Sequence, residues 1–321
     1  MRRTALFGLV FLVLIVLAAF VASGIGSYHI APQDILRLWL SLLNESWSVG
    51  IDDTARYITL HVRLARICLA LVVGGGLALS GAVYQGVLLN PLADPFTLGV
   101  STGAAFGASL AILLGWGAWS VWGVSALPLA AFAGAVFALY LVYLLGRING
   151  RIHSTTLVLA GIIVSTFLSA WISLLKSLNE DSVSTIVFWI MGSLSGKGWT
   201  HVGLVLPYLL IGGGLILFSA RELDLLCLGE VQAQQSGVDV SRVRFRLMLA
   251  ASLVTGASVA VSGVIGFVGL VVPHLVRFGV GTLHRHLLPT SLAAGGLLVL
   301  LADTMARSLL PSGEEIGRAH V

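Results

Sequence analysis

The chain has 321 residues, of which 57% are hydrophobic and only 10% are charged, and its mean hydropathy is +1.00. Soluble domains are about one quarter charged, so this composition excludes an ordinary soluble enzyme or binding module and indicates a polytopic membrane protein. The formal net charge of +4 comes from basic residues scattered singly between apolar runs, which argues against a nucleic-acid surface.

The N-terminal apolar run extends to Ala22 and predicts a first helix that is retained in the protein. It is longer than the hydrophobic region of about 7–15 residues in a cleaved signal peptide, and the chain continues as a membrane protein. Residues Ser27 to Arg63 are mixed in polarity and carry Trp39 and Trp47. They predict a surface segment with a short amphipathic helix.

A second span follows from Ile67 to Leu89, which contains no charge and is long enough for one crossing at about 20 residues. The prolines of Asn90-Pro-Leu-Ala-Asp-Pro95 then break the helix twice, and Asp94 is expected to hold the loop as an acceptor. The small residues around Gly74 leave one face of the helix without bulky side chains, which is typical of a helix packed closely against others inside a membrane protein.

Further apolar runs complete a set of nine predicted spans, with boundaries uncertain by about 2–4 residues. The first covers the N-terminal run, and the others lie at 65–89, 97–115, 123–146, 154–176, 201–220, 244–263, 265–281 and 289–310. The eighth is short for a crossing, and Pro273 would distort it unless neighbouring helices bury it.

The distribution of basic residues near the span ends predicts a cytoplasmic N-terminus. On the side of the N-terminus lie Arg2, Arg3, Arg147, Arg151, Arg221, Arg242, Arg244, Arg246, Arg277 and Arg285. On the other side lie Arg37, Arg56, Arg63, Arg66, Lys176, Lys197 and Arg307.

A spacing of small residues recurs and suggests an inverted repeat. Gly74, Ala78, Ser80 and Gly81 are repeated as Gly256, Ala260, Ser262 and Gly263. Because five spans separate the two copies, they would run in opposite directions, as in many transporters. The alternative is a chance recurrence in a chain with 38 glycines.

Three polar features have distinct interpretations. The segment from Gly192 to Gly198 is not a phosphate-binding loop, which needs four residues between its two glycines and a Ser or Thr after its lysine. Here three residues separate Gly192 from Gly196 and a glycine follows Lys197, so ATP binding through this motif is not expected. Asp303 and Arg307 stand one helical turn apart within the ninth span and predict a structural ion pair, with a direct substrate contact as the alternative. Cys68 and Cys227, without a histidine cluster, predict neither a disulfide nor a metal site.

Residues 221–246 form the largest polar stretch between the later spans, and we call them the coupling loop. Leu225, Leu226 and Leu228 predict a short helix that Gly237 ends, and Ser241 is expected to cap the next helix. The loop could be a solvated connector, but its leucines favour a docking surface for a soluble partner.

Three blocks of the sequence resemble the FecCD-type permease subunits of bacterial ABC importers for iron–siderophore complexes, haem and vitamin B12. They are RLAR with LALSGAVYQGVLLNPLADPFTLGVSTGAAFGA, the block FWIMGSLS from Phe188, and GVIGFVGLVVPHLVR from Gly263. The resemblance extends over nearly the whole chain. It implies an all-α polytopic membrane protein of the type II ABC importer permease fold with an inverted pseudo-repeat, for which ten helices are expected and nine are present here.

The resemblance also implies partners and site residues. The partners are a second permease copy or paralogue, two ATP-binding subunits, a periplasmic or lipoprotein substrate-binding protein and membrane lipid, with no cofactor and no nucleic acid. The cytoplasmic gate is implied at Asn90, Leu92, Ser154 and Thr155. ATPase coupling is implied at Leu228, Gly229, Glu230, Ala233 and Gly237.

Two other classes remain as alternatives. A secondary transporter would need intramembrane carboxylates for ion coupling, and Asp303 is the one deep candidate in the sequence. A membrane-embedded enzyme would need a cluster of His, Asp or Glu within the spans, and the predicted spans contain no such cluster. We expect residues 1–314 to form one permease domain and residues 315–321 to be a non-native tail, because their sequence resembles a translated sequencing adapter.

Overall fold

The computed structural model describes residues 2–116, 119–121, 124–148 and 151–309; the predicted boundary between residues 314 and 315 lies outside them. The described residues are almost entirely helical. The helices are α1 Arg2–Gly24, α2 Pro32–Ser41, α3 Asp53–Tyr57, α4 Leu64–Leu88, α5 Val100–Leu113, α6 Ala126–Leu145, α7 Ser154–Leu178, α8 Glu180–Met191, α9 Trp199–Tyr208, α10 Gly214–Phe218, α11 Ala220–Leu226, α12 Glu230–Gln235, α13 Val240–Ser262, α14 Val268–Val280 and α15 His284–Leu309.

Short elements join or cap these helices. A 3₁₀ turn covers Glu45–Ser48, and π-helical turns at Ile58–Arg63 and Leu209–Gly213 connect α3 to α4 and α9 to α10. Two antiparallel pairs of two-residue strands precede α6 and α7. They are β1 Ser120–Val121 with β2 Val124–Ser125, and β3 Arg147–Ile148 with β4 Arg151–Ile152.

Within the described residues, seven helices are long and apolar enough to cross a membrane, which makes the chain a multi-pass membrane protein. Each of the nine predicted spans lies on helical structure, with span 201–220 divided into α9, a π-helical turn and α10. The third span is shorter than predicted, and the eighth is short, as predicted. Spans 97–115 and 265–281 are the short helices α5 and α14, with 14 and 13 residues. Both are too short to cross alone at about 20 residues per crossing.

Helix α4 lies at the centre of the bundle, as its small residues predicted. Every residue from Val73 to Leu88 on it is buried, and α13, α14 and α15 surround it. The closest approach is to α15, where a Cβ atom added at Gly74 would lie 2.3 Å from the carbonyl oxygen of Gly295. A Cβ atom added at Gly295 would lie 2.4 Å from the Cβ atom of Ala78. The two backbones are therefore in direct contact.

The inverted repeat is visible as α4–α5–α6 and α13–α14–α15, each a long helix, a non-helical break, a short helix and another long helix. Positive φ values mark both breaks: Leu89 (53°) and Gly99 (73°) in the first, Gly263 (69°) and Phe267 (66°) in the second. Equivalent glycines of the two repeats also pack against equivalent helices. Gly74 of α4 faces α15, and Gly256 of α13 faces α6.

The segment after α1 is a surface segment with an amphipathic helix, as predicted. Ile35 and Leu38 on one face of α2 are buried, whereas Leu36 is 50% exposed. The ring of Trp39 packs edge-on against Phe20 of α1 at a centroid distance of 5.9 Å. Helix α2 thus lies against the end of α1 and exposes its other face.

Alanine at Gly74 should destabilise the bundle by about 1–3 kcal/mol, because its Cβ atom would overlap a backbone carbonyl that cannot move aside. The check is the thermal unfolding midpoint of the detergent-solubilised protein. Gly203 of α9 is the matched control, since a Cβ atom there meets nothing within 4 Å. An unchanged midpoint for Gly74→Ala, equal to that of Gly203→Ala, would contradict the close packing.

Candidate functional site: the α4–α5 turn, the coupling loop and the face of α7

The predicted gate residues Asn90 and Leu92 lie in the α4–α5 turn, which comprises residues 89–99. The side-chain oxygen of Asn90 accepts a hydrogen bond from the N–H of Leu92 at 3.0 Å. Asp94 accepts hydrogen bonds from the N–H groups of Phe96 and Thr97, both at 3.0 Å. The two prolines stop the helix, and these side chains then hold the turn in one conformation.

The other two predicted gate residues begin α7 at the same end of the bundle. The hydroxyl of Ser154 donates to the carbonyl of Val87 at 3.2 Å, so the first turn of α7 is held beside the last turn of α4. Thr155 is exposed, and Leu92 is 70% exposed although it is apolar. The structure therefore brings the two predicted gate segments to one end of the bundle, with one exposed side chain from each.

Helix α7 exposes two different faces. Hydroxyl side chains are exposed along one face, namely Thr155, Thr166, Ser169 and Ser173, and the exposed apolar side chains of Leu159 and Ile162 lie on the same face between Thr155 and Thr166. Large apolar side chains are exposed along the adjacent face, namely Ile163, Phe167, Trp171 and Leu174. In a membrane-spanning helix the apolar face suits lipid, whereas the three hydroxyls from Thr166 to Ser173 suit water or protein.

The coupling loop contains two short helices where one was predicted. Helices α11 and α12 are separated at Gly229, which has a φ of +108°, and α12 ends before Gly237 at +83°. Leu228 and Val231 are 64% and 61% exposed, whereas Ala233 is completely buried. The loop thus presents an apolar surface from a fixed backbone.

A salt bridge within the coupling loop and hydrogen bonds to α15 hold the loop in place. Glu230 of α12 contacts Arg244, in the part of the loop that begins α13, at 2.8 Å, and Arg244 is only 3% exposed. Asp224 of α11 accepts a hydrogen bond from the backbone N–H of His284 at 2.9 Å and contacts its Nδ1 atom at 2.6 Å. Helix α12 is therefore attached to α13, and α11 to the first residue of α15.

Two details near this loop differ from the sequence predictions or add to them. Ser241 is not the cap of α13. Asp239 is, because α13 begins two residues earlier than a Ser241 cap would place it; the Asp239 carboxylate accepts a hydrogen bond from the N–H of Arg242 at 3.1 Å. Cys227 lies in the loop as a free thiol, and burial, followed by the nearby Asp224, raises its pKa. A thiol kept protonated in this way is a poor nucleophile and metal ligand.

At the opposite end of the bundle, Asp303 and Arg307 of α15 are in contact at 3.4 Å. The closer partner of Asp303 is Arg66 of α4, whose guanidinium donates to the carboxylate at 2.8 and 2.9 Å. Arg66 was not predicted as a partner, since it lies 237 residues away in sequence. The three side chains are at most 12% exposed, which makes them a buried link between α4 and α15.

Arginines at this end also bind carbonyls in the last turn of α1 and just after it. Arg63 donates to the carbonyls of Ser23 and Tyr28 at 2.8 and 2.7 Å. Arg307 donates to that of Ile25 at 3.3 Å. Cations favour a helix C-terminus, whose last carbonyls have no partner within the helix. Both arginines are buried structural groups, which the sequence predicted for Arg307 but not for Arg63.

Comparisons with known proteins agree on one family. The model of the FecCD transport family matches residues 11–318. The cobalamin import system permease protein of Halobacterium salinarum is 45% identical over 81% of this chain and 69% of its own length. The hemin transport system permease protein of Yersinia pestis is 39% identical over 84% of this chain and 80% of its own.

A solved structure is similar over almost the whole chain. It shows an inward-facing conformation of a putative metal-chelate type ABC transporter. Its TM-score is 0.82 at 34% sequence identity, with 95% of this chain and 92% of that chain covered.

Proposed function

Because the chain belongs to the FecCD transport family, we propose that it is the permease subunit of an ATP-driven importer for an iron–siderophore complex or a related metal chelate such as haem or cobalamin. The similarity to the cobalamin and hemin permeases supports this class of substrate. The chain itself catalyses no covalent reaction, and residues 1–314 act as one transmembrane domain.

The exposed hydroxyl face of α7 is the observation that carries the proposal. Its hydroxyls are Thr155 at the coupling-loop end and Thr166, Ser169 and Ser173 in the second half of the helix, with the exposed Leu159 and Ile162 between them. A single chain leaves this face uncovered, whereas two copies facing each other through α7 would enclose a path that is polar from Thr166 to Ser173 and apolar beside Leu159 and Ile162. The pathway therefore lies between this chain and a second copy or a paralogue, with lipid around the pair.

The proposed orientation rests on the larger number of basic residues at the end of the bundle that carries the coupling loop. The coupling loop and the N-terminus of α1 face the cytoplasm across the bacterial inner membrane, where two ATP-binding subunits dock on Leu228, Gly229, Glu230, Ala233 and Gly237. A periplasmic or lipoprotein binding protein docks at the opposite end. The attachment of Asp224 to His284 supports this role, because a displacement of the loop would be passed directly to α15.

The α4–α5 turn and the first turn of α7 form the proposed cytoplasmic gate. Leu92 and Thr155 are exposed side chains of these two segments and would meet their counterparts in the second copy. Asn90 and Ser154 position them through their hydrogen bonds to backbone groups. The gate is thus a pair of exposed side chains on supported turns.

A secondary transporter has less support. Ion coupling through Asp303 needs a carboxylate that can release its partners, but two arginines hold this one in a buried cluster.

The coupling role predicts that Gly237→Trp lowers ATP-driven uptake at least about tenfold, because a side chain there adds bulk to the docking surface and disfavours the positive φ. The check is chelate uptake and ATP hydrolysis by the permease reconstituted with its ATPase and binding protein. Gly196→Trp is the matched control for ATP hydrolysis in the absence of the binding protein, since Gly196 also has a positive φ and open space but lies in the loop at the end away from the ATPase. Full uptake by Gly237→Trp would refute the docking role.

The gate role predicts that Leu92→Ala combined with Thr155→Ala raises the leak of chelate from loaded vesicles in the absence of ATP. Smaller side chains would no longer close the path between the two copies. Leu145→Ala serves as the control, because Leu145 is an exposed apolar residue at the same end of α6. A leak equal to that of the control, with the complex intact, would show that these residues do not close the pathway.

A further inference from the structure

The N-terminus of the short helix α5 lies inside the bundle. Gly99, the residue before α5, packs against Gly161 and Ser165 of α7. Gly161 is seven residues from the start of α7 at Ser154, which corresponds to a depth of about 10 Å at 1.5 Å per residue. Helix α5 therefore begins well inside the membrane-spanning part of the protein.

Donor groups at this N-terminus are unpaired and buried. Within the described residues, the N–H groups of Val100, Ser101 and Thr102 have no hydrogen-bond acceptor, and the first bond of the helix is made by Gly103 to the carbonyl of Gly99. The hydroxyl of Ser101 also has no partner in the described structure, although the residue is only 1% exposed. Buried donors without acceptors are costly unless a ligand supplies the acceptor.

A cavity of about 260 Å³ adjoins these donors. Ser101 and Thr102 of α5 line it together with Ser169, Ser173 and Lys176 of α7. Lys176 forms no ion pair within the part of the chain that the structure describes. The polar groups that α5 and α7 supply to this cavity are hydroxyls, an ammonium group and the start of a helix, a combination that favours a negatively charged oxygen group.

The corresponding half-helix of the second repeat is different. The first N–H of α14, from Val268, donates to the carbonyl of Gly266 at 2.9 Å. The cavity in front of α14, about 470 Å³, has the carboxylate of Asp303 in its wall. The anion-favouring features are therefore specific to α5 and do not follow from the repeat alone.

We propose that the N-terminus of α5, with Ser101, Thr102 and Lys176, binds an anionic oxygen group of the transported chelate, such as a carboxylate, as the chelate moves along α7. This inference rests on the proposed transport function. A cavity of this volume holds one such group and its neighbouring atoms, while the rest of a chelate would remain in the wider path between the two copies. The exposed hydroxyls of Ser169 and Ser173 connect the cavity with that path.

The test measures equilibrium binding of radiolabelled citrate to the permease–ATPase complex in nanodiscs. Wild type should bind citrate saturably, and Lys176→Gln should raise its Kd about tenfold, since a charge-assisted hydrogen bond is lost. Ser101→Ala should raise the Kd several-fold. Ser177→Ala is the control, because Ser177 lies on the same helix and donates to the carbonyl of Leu174 at 2.8 Å.

Separate results would overturn the inference and the proposed function. No saturable citrate binding by wild type, or equal binding by all variants that elute as intact complexes, would overturn the anion site. Inorganic phosphate that binds as tightly as citrate, with the same response to Lys176→Gln, would assign the site to free anions and not to the chelate. Failure of the complex to import ferric citrate, haem and cobalamin in proteoliposomes with ATP would count against the transport function, whatever the binding result.

Discussion

The backbone contact between α4 and α15 at Gly74 and Gly295 is the constraint on which the other features depend. It brings two long helices close enough for Arg66 and Asp303 to pair near one end of them. At the other end of α15, His284 is held by Asp224 of the coupling loop. A single helix pair, in backbone contact at Gly74 and Gly295, therefore connects the coupling loop with the buried charges on the far side.

The breaks between long and short helices provide a second constraint. A helix that stops inside a membrane leaves backbone groups without partners, and this is tolerated only where protein or a polar cavity surrounds the break. In the first repeat, side chains of Asn90 and Asp94 satisfy part of the turn, while Ser101 and Thr102 at the start of α5 line a cavity shared with α7. The break thus creates both the supported turn of the proposed gate and a set of unpaired donors deeper in the bundle.

Much of the fold could be predicted from local sequence. Apolar runs located the helices, the prolines of the α4–α5 turn located a break, and Gly237 located the end of α12. The features that were not predicted depend on long-range contacts or on backbone conformation. Arg66 and Asp303 are distant in sequence, and the late start of α5 depends on the left-handed conformation of Gly99, which hydropathy does not detect.

Helix α8 and the division of the coupling loop show the same limitation. The polar start of α8 at Glu180 and Asp181 carries no apolar periodicity, so the helix was not predicted, although Asn179 caps it through the N–H of Ser182 at 3.1 Å. Leucine spacing predicted one coupling helix, but Gly229 adopts a φ of +108° and divides it. The functional roles of the gate and of the coupling residues came from the family resemblance, because no local pattern encodes which surface meets a partner.

The central claim is that the hydroxyl face of α7 lines a water-accessible pathway between two copies of the chain. Cysteine accessibility tests it most directly, in a background where Cys68 and Cys227 are replaced by serine. In the assembled complex, Ser169→Cys and Thr166→Cys should react with a water-soluble maleimide, whereas Phe167→Cys on the adjacent face should not. Rapid labelling at residue 167 together with protection at 166 and 169 would contradict the account, since it would place lipid against the hydroxyls and water against the apolar face.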